Sequence, residues 1–275
     1  NEEVGKIITK YFNEMDFKVF IRKNSEWIDE IYRRCELRTH KTEADELKKE
    51  NKKLSRKKLP KLMDANSKNR MECILLLTEG DSAVGDLSAV RDPLIHAALP
   101  LRGKVLNVNG ESPKRVVESQ ALVDIMVAIG LQIGEKAVRE NLRYGKIYIA
   151  HDEDPDGKNI GALLVNFLYT YWPELFSDKE NPFVNVFMTP YIIAVNGKTR
   201  KYWYSHNYTE FDPKEHKGWS ITRAKGLAAL ELEDWKHAIE KPEVYELFDD
   251  GELLESLDLI FNNGRADDRK SWMGI

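Results

Sequence analysis

The chain has 275 residues, 42% of them hydrophobic, with a formal net charge of −4, enough to bury a core in one domain or two. Its two cysteines, Cys35 and Cys73, form neither a disulfide framework nor a CxxC motif and read as reduced packing residues. No stretch approaches the ~20 apolar residues of a membrane span, and no signal peptide is visible.

Residues 1–24 carry no firm pattern, and Asn1 in place of Met points to a fragment or a processed chain. Ser25 is placed to cap a long helix through Trp27, Ile28, Ile31, Tyr32 and Cys35, continuing with interruptions into a charged stretch near Lys53. Between Lys48 and Lys61 stand eight Lys or Arg and a single Glu, while the stretch from Glu231 to Asp258 is strongly acidic. A basic segment can hold DNA phosphates whatever the total charge, and such binding weakens steeply with salt; a solvated helix surface is the plainer account.

Five apolar residues follow Glu72 and lead through Thr78 to Glu79, as a buried parallel strand does, and the Gly80-Asp81-Ser82 turn can cap a helix from Ala83. Gly80 to Gly85 is not a phosphate loop, because Asp86 stands where Lys is required. Helices are expected after Ser112-Pro113, over 135–142, and over 158–172. A hairpin at Asn196-Gly197 joins β-like runs over 184–195 and 199–205, and acid-rich helices follow to the end.

The most informative run is Ile147-Tyr148-Ile149-Ala150-His151-Asp152-Glu153-Asp154-Pro155-Asp156-Gly157, an apolar strand leading to three alternating carboxylates and a glycine. On an extended backbone Asp152, Asp154 and Asp156 share one side, and no Lys or Arg lies among them. Such crowding calls for a cation, and oxygen-only ligands suit Mg²⁺, Mn²⁺ or Ca²⁺ rather than zinc. A twelve-residue calcium loop from Asp152 would need Glu where Leu163 stands. A solvated acidic turn is the bland alternative, and a phosphoaspartyl pattern is weakened by the third carboxylate. In a parallel sheet Glu79 would sit beside the three aspartates.

A strand ending in Glu79-Gly80-Asp81-Ser82-Ala83, paired with a later one ending in Asp152-x-Asp154-x-Asp156-Gly157, resembles the Toprim domain of type IIA DNA topoisomerases. Leu99-Pro100-Leu101-Arg102-Gly103-Lys104 resembles the family's basic loop, and Ile129-Gly130-Leu131-Gln132-Ile133-Gly134 its mid-domain glycine pair. Phe187-Met188-Thr189-Pro190, Lys201-Tyr202-Trp203-Tyr204-Ser205, Ala224-Lys225-Gly226-Leu227 and the run from Ala266 to Trp272 extend the similarity, which covers roughly residues 59–275. Its style is nearest the eukaryotic and tailed-phage enzymes. The family usually has an aromatic before Lys-Gly-Leu and a second Gly after it, whereas this chain has Arg223-Ala224-Lys225-Gly226-Leu227-Ala228. Asn159 and His151 also depart from the family's usual residues without removing a ligand.

The resemblance implies an α/β Toprim fold with a parallel, Rossmann-like sheet flanked by helices. Residues 1–58 would be the end of a transducer and a linker helix, 59–198 the metal-binding core, and 199–275 the rest of the Toprim region with a subunit-interface tail. It implies Mg²⁺-dependent cleavage and religation of double-stranded DNA in an ATP-dependent double-strand passage reaction, with ATP bound only in the intact large subunit. Glu79, Asp152 and Asp154 would bind the catalytic Mg²⁺, for which Mn²⁺ or Ca²⁺ could substitute, with Asp154 and Asp156 at a second site. Arg102 and Lys104 would join them in catalysis, and Arg102, Lys104, Asn107, Lys225, Lys57 and Lys58 would contact DNA. Tyr202, Tyr204 and Tyr208 read as packing residues, so the tyrosine nucleophile would come from a partner subunit in a heterotetramer or larger assembly. The expected location is the cytoplasm, of the host if the source is a phage, in association with the nucleoid. A Toprim-type nuclease using water, or a DNA-binding module without catalysis, are the competing readings.

Overall fold

The computed structural model describes residues 14–54, 57–80, 82–101 and 105–274, with the side chains of 14–17, 32–33, 35–47 and 82–83 excepted. The chain divides into two compact units, residues 1–50 and 51–275. The first contains α1 (Glu14–Lys23) and most of α2 (Ser25–Leu54). The expected long helix therefore begins at Ser25 and runs 30 residues unbroken, rather than with interruptions.

In the second unit β1 (Ile74–Glu79) leads through α3 (Ser82–Val90) to β2 (His96–Leu101). Helices α4 (Pro113–Glu118) and α5 (Gln120–Ile129) precede β3 (Lys146–Ala150), and α6 (Pro155–Tyr171) precedes β4 (Val184–Met188). Then come β5 (Ile192–Asn196), β6 (Thr199–Trp203), β7 (Ser220–Arg223), α7 (Leu232–Glu240), β8 (Glu243–Leu247), α8 (Leu253–Phe261) and α9 (Ala266–Met273). One sheet has the order β2-β1-β3-β4-β8, parallel but for the antiparallel edge strand β8. The other is a small antiparallel sheet, β6-β5-β7. Strand β8, from the expected tail region, thus completes the sheet of the expected core.

The central strands form because they are apolar on both faces. Leu75, Leu76 and Leu77 are wholly buried, as are Ile147 and Val184, and each such side chain stabilises the fold by roughly 1.5–3 kcal/mol. Tyr148 stacks on Phe187 across the β3–β4 pair with centroids 5.8 Å apart.

Three expectations are corrected. Residues 135–142 hold only a 3-10 turn at Arg139–Asn141; the helix lies earlier, at α5, where seven of ten residues are buried and only Gln120 and Asp124 mark a polar side. The run 184–195 is two strands in different sheets, broken at Thr189-Pro190 because proline cannot continue the ladder. Leu99-Pro100-Leu101 is the end of β2 rather than a loop, and Pro100 is tolerated because β2 lies at the sheet's edge.

The segment before β1 is tied to that edge. Met63 exchanges two 2.9 Å backbone hydrogen bonds with Ala98 of β2. Next to it Asp64 accepts from Arg70 Nη2 at 2.8 Å, Tyr144 Oη at 2.7 Å and Arg143 Nη2 at 2.6 Å. Burial works against the Asp64 charge, but these bonds, the Ala65 N–H and the Arg143 guanidinium outweigh it and hold the carboxyl below its usual range.

Candidate metal centre

In an open α/β sheet, ligands gather at the carboxyl ends of the strands, where the strand order reverses direction. Here the chain passes from β1 outward to β2 on one side and later returns to β3 on the other, so the reversal lies between β1 and β3. Glu79 is the last residue of β1, and the 152–156 carboxylates follow β3, paired in register through Thr78 and Ala150.

The alternation expected of Asp152, Asp154 and Asp156 does not hold, because extended structure stops at Ala150 and Pro155 fixes the first turn of α6. Asp154 is that helix's N-cap, its Oδ1 accepting from the Gly157 N–H at 2.8 Å. Asp156 lies exposed in the first helical turn, where the helix dipole favours an acid. Asp152 is held from elsewhere: its Oδ1 accepts from the Leu227 N–H at 2.7 Å, and its own N–H lies 3.4 Å from Glu79 Oε2. The Glu153 N–H donates to the Lys225 carbonyl at 3.0 Å, so the 224–227 segment braces the carboxylate loop.

Close packing fixes this arrangement. A Cβ on Gly226 would stand 2.7 Å from an Asp152 carboxylate oxygen, and one on Gly157 would stand 2.3 Å from the Asp152 carbonyl. The absence of a side chain at 226 therefore lets Asp152 keep this position, although the family's second glycine is absent; the sequence gives no local signal because the contact comes from a residue far upstream. His151, buried at the end of β3, directs Nδ1–H to the Asp152 carbonyl at 2.8 Å. The Glu153 carboxylate, whose side chain is 6% exposed, faces the Lys158 ammonium at 3.6 Å.

Burial pushes the Glu79 carboxyl up, the Asp152 N–H pulls it the other way, and the charges of Asp152 and Asp154 add to the rise. Glu79 thus feels two neighbouring carboxylates, a repulsion a divalent cation would reverse. Among the described residues no three His, Cys, Asp or Glu stand in ligating geometry. Asp152 and Asp154 each use one oxygen on a backbone N–H, and the donor set, all carboxylate oxygen, fits a hard cation and not zinc.

The other sequence candidates scatter. Arg102 and Lys104 lie outside the described residues. Asn107 is committed internally: Nδ2 donates to the Phe261 carbonyl at 2.9 Å, and Oδ1 accepts from the Asn109 N–H at 3.1 Å and Asn166 Nδ2 at 3.3 Å. Lys57 pairs with Asp124 at 3.0 Å, whereas Lys58 and Lys225 are exposed. Tyr202 stacks on His237 at 4.0 Å and Tyr204 is buried; burial pushes both phenols up to about 12. Tyr208 is exposed and packs against Tyr191. Cys73 is a buried free thiol, raised by that burial, and the Cys35 side chain lies outside the described residues.

Residues 74–186 match the model of the Toprim domain. The chain is 36% identical over 238 residues to DNA topoisomerase 2-beta of Gallus gallus, spanning 79% of this chain and 14% of that protein. It is 35% identical over 237 residues to DNA topoisomerase 2-alpha of Homo sapiens, spanning 79% and 15% respectively. Among solved structures it resembles the DNA-binding, cleavage and re-ligation domain of Plasmodium falciparum topoisomerase II, with a TM-score of 0.68 and 30% identity over 78% of this chain and 31% of that one. The chain therefore spans about one seventh of the length of these curated relatives.

Proposed function

We propose that this chain, an α/β Toprim region homologous to that of eukaryotic type II topoisomerases, is the metal-binding half of a DNA cleavage and religation centre. The observation that carries this reading is the meeting of Glu79 with Asp152 at the β1/β3 switch point, in a fold where such a site gathers charged ligands.

Glu79, Asp152 and Asp154 would hold a divalent cation, Mg²⁺ by preference, with Asp154 and Asp156 at a second position. The cation would supply positive charge at the scissile phosphate and stabilise the departing 3′ oxygen. Glu79 is suited to carry a proton to that oxygen, because its burial and acidic neighbours hold the carboxyl above the usual range. Lys225, exposed at the rim beside Glu153, would contact backbone phosphate, as would Lys58, Arg102 and Lys104.

The nucleophile in this reading is a tyrosine supplied by a partner subunit in a heteromeric assembly acting in the cytoplasm. In support, Tyr202 and Tyr204 are packed side chains whose phenols ionise only near 12. ATP would act through the intact subunit. The test is DNA cleavage in Mg²⁺ by the intact large subunit with its tyrosine-bearing partner, wild type against Asp154→Asn, probing for protein linked covalently to DNA. Linked product that vanishes in the variant is expected. Free DNA ends made by this chain alone would replace the reading with a water-using nuclease.

A further inference from the structure

The five-stranded sheet ends on β8, which pairs with β4 on one side and has no strand on the other among the described residues. Its five residues pair with β4 in continuous register, without a bulge or an internal proline. Such an edge presents a row of backbone donors and acceptors that another extended chain can complete, and proteins usually block it with bulges, prolines or lysines.

Here bulge, internal proline and lysine are absent, the charges are all acidic, and the side chains point to a selective use. Tyr245 is 48% exposed in the middle of β8, between exposed Glu243 and Glu246, and Phe248 just beyond it is 38% exposed. From 240 to 258 the sequence has eight acids and a single base, Lys241. An edge of one sign repels the same edge of another copy, since like charges facing across a strand pair are destabilising. It also repels DNA phosphate. It favours an extended segment with a base at every third position, the bases lying opposite Glu243 and Glu246, which project to opposite faces of the strand, and the apolar groups beside Tyr245 and Phe248.

We propose that the outer edge of β8 is a docking site for a basic, extended segment of another protein, which adds to the sheet as a sixth strand. The site is distinct from the carboxylate centre and does not depend on the DNA-cleavage reading.

The experiment uses the full 275-residue chain and a fluorescent, end-blocked peptide of repeating Lys-Val-Val, followed by anisotropy at low salt. Saturable binding is expected, weakened by about tenfold or more in Glu243→Lys/Glu246→Lys. Binding should also be lost when alternate peptide nitrogens are methylated, which removes the strand's donors and keeps its charge. Thermal unfolding establishes that the variant is folded; if it is not, the methylated peptide decides alone. Equal binding of methylated and unmodified peptides would reduce the effect to plain charge attraction and overturn the proposal. So would absence of binding by the unmodified peptide, or unchanged affinity in a folded variant.

Discussion

Gly161 of α6 lies directly against the His151 ring: a methyl at 161 would stand 2.6 Å from His151 Cδ2. Gly161→Ala is therefore expected to destabilise the chain by about 1–3 kcal/mol through overpacking, despite alanine's better helix propensity. In a His151→Ser background the ring is gone and the same change should cost less by about 1 kcal/mol or more. Denaturant unfolding of the four chains checks this, and simple additivity would show that the two residues are not in contact.

Gly226→Ala places a methyl 2.7 Å from the Asp152 carboxylate without backbone strain, since Gly226 has φ −148°. In the proposed reaction, displacing Asp152 should lower cleavage by roughly 100-fold. The melting temperature should stay within about 4 °C of wild type. Cleavage assays beside thermal melts test the pair of outcomes, and wild-type cleavage would mean that Asp152 need not sit where Leu227 holds it.

Asp154 has two separable roles. Asparagine also caps helices, so Asp154→Asn should leave stability nearly unchanged, whereas Asp154→Ala should cost about 1 kcal/mol. Both should weaken Mg²⁺ binding by titration calorimetry, because both remove the charge. Unchanged Mg²⁺ affinity in both would remove Asp154 from the ligand set.

Acid should act through Asp64. Its folded carboxyl titrates below the unfolded value, so its stabilising contribution is present above that value, about 4, and is lost as pH falls through the folded value. Asp64→Asn should be less stable than wild type at pH 7, and the gap should narrow steadily below about pH 4. Unfolding midpoints across that range measure it; a gap independent of pH would contradict the assignment.

How much of this could be read in the residues differs from element to element. Strands β1 and β3 announce themselves as short apolar runs ending in acids, and their pairing brings Glu79 to the aspartate loop as expected. Helix α5 was hidden because a helix buried on most sides has only a narrow polar stripe, here Gln120 and Asp124, to reveal a 3.6-residue period. Strand β8 was hidden for the opposite reason, two of its five residues being Glu, a residue depleted in strands. At the site, the carboxylates were visible but their geometry was not: Pro155 turns the chain into a helix before Asp156 can alternate. The close approach of Gly226 to Asp152, 74 positions upstream, leaves no mark in the local pattern.

The hydrogen bond between Asp152 and Leu227 also sets an order of events during synthesis. Its two ends lie 75 positions apart, so at ~5–20 residues per second a ribosome needs roughly 4–15 s to make the second after the first. Until then the aspartate loop is covalently complete but unbraced. A growing chain thus acquires its acidic residues well before it can hold Asp152 in the folded arrangement, and a chain cut short before 224 would carry the carboxylates without the brace.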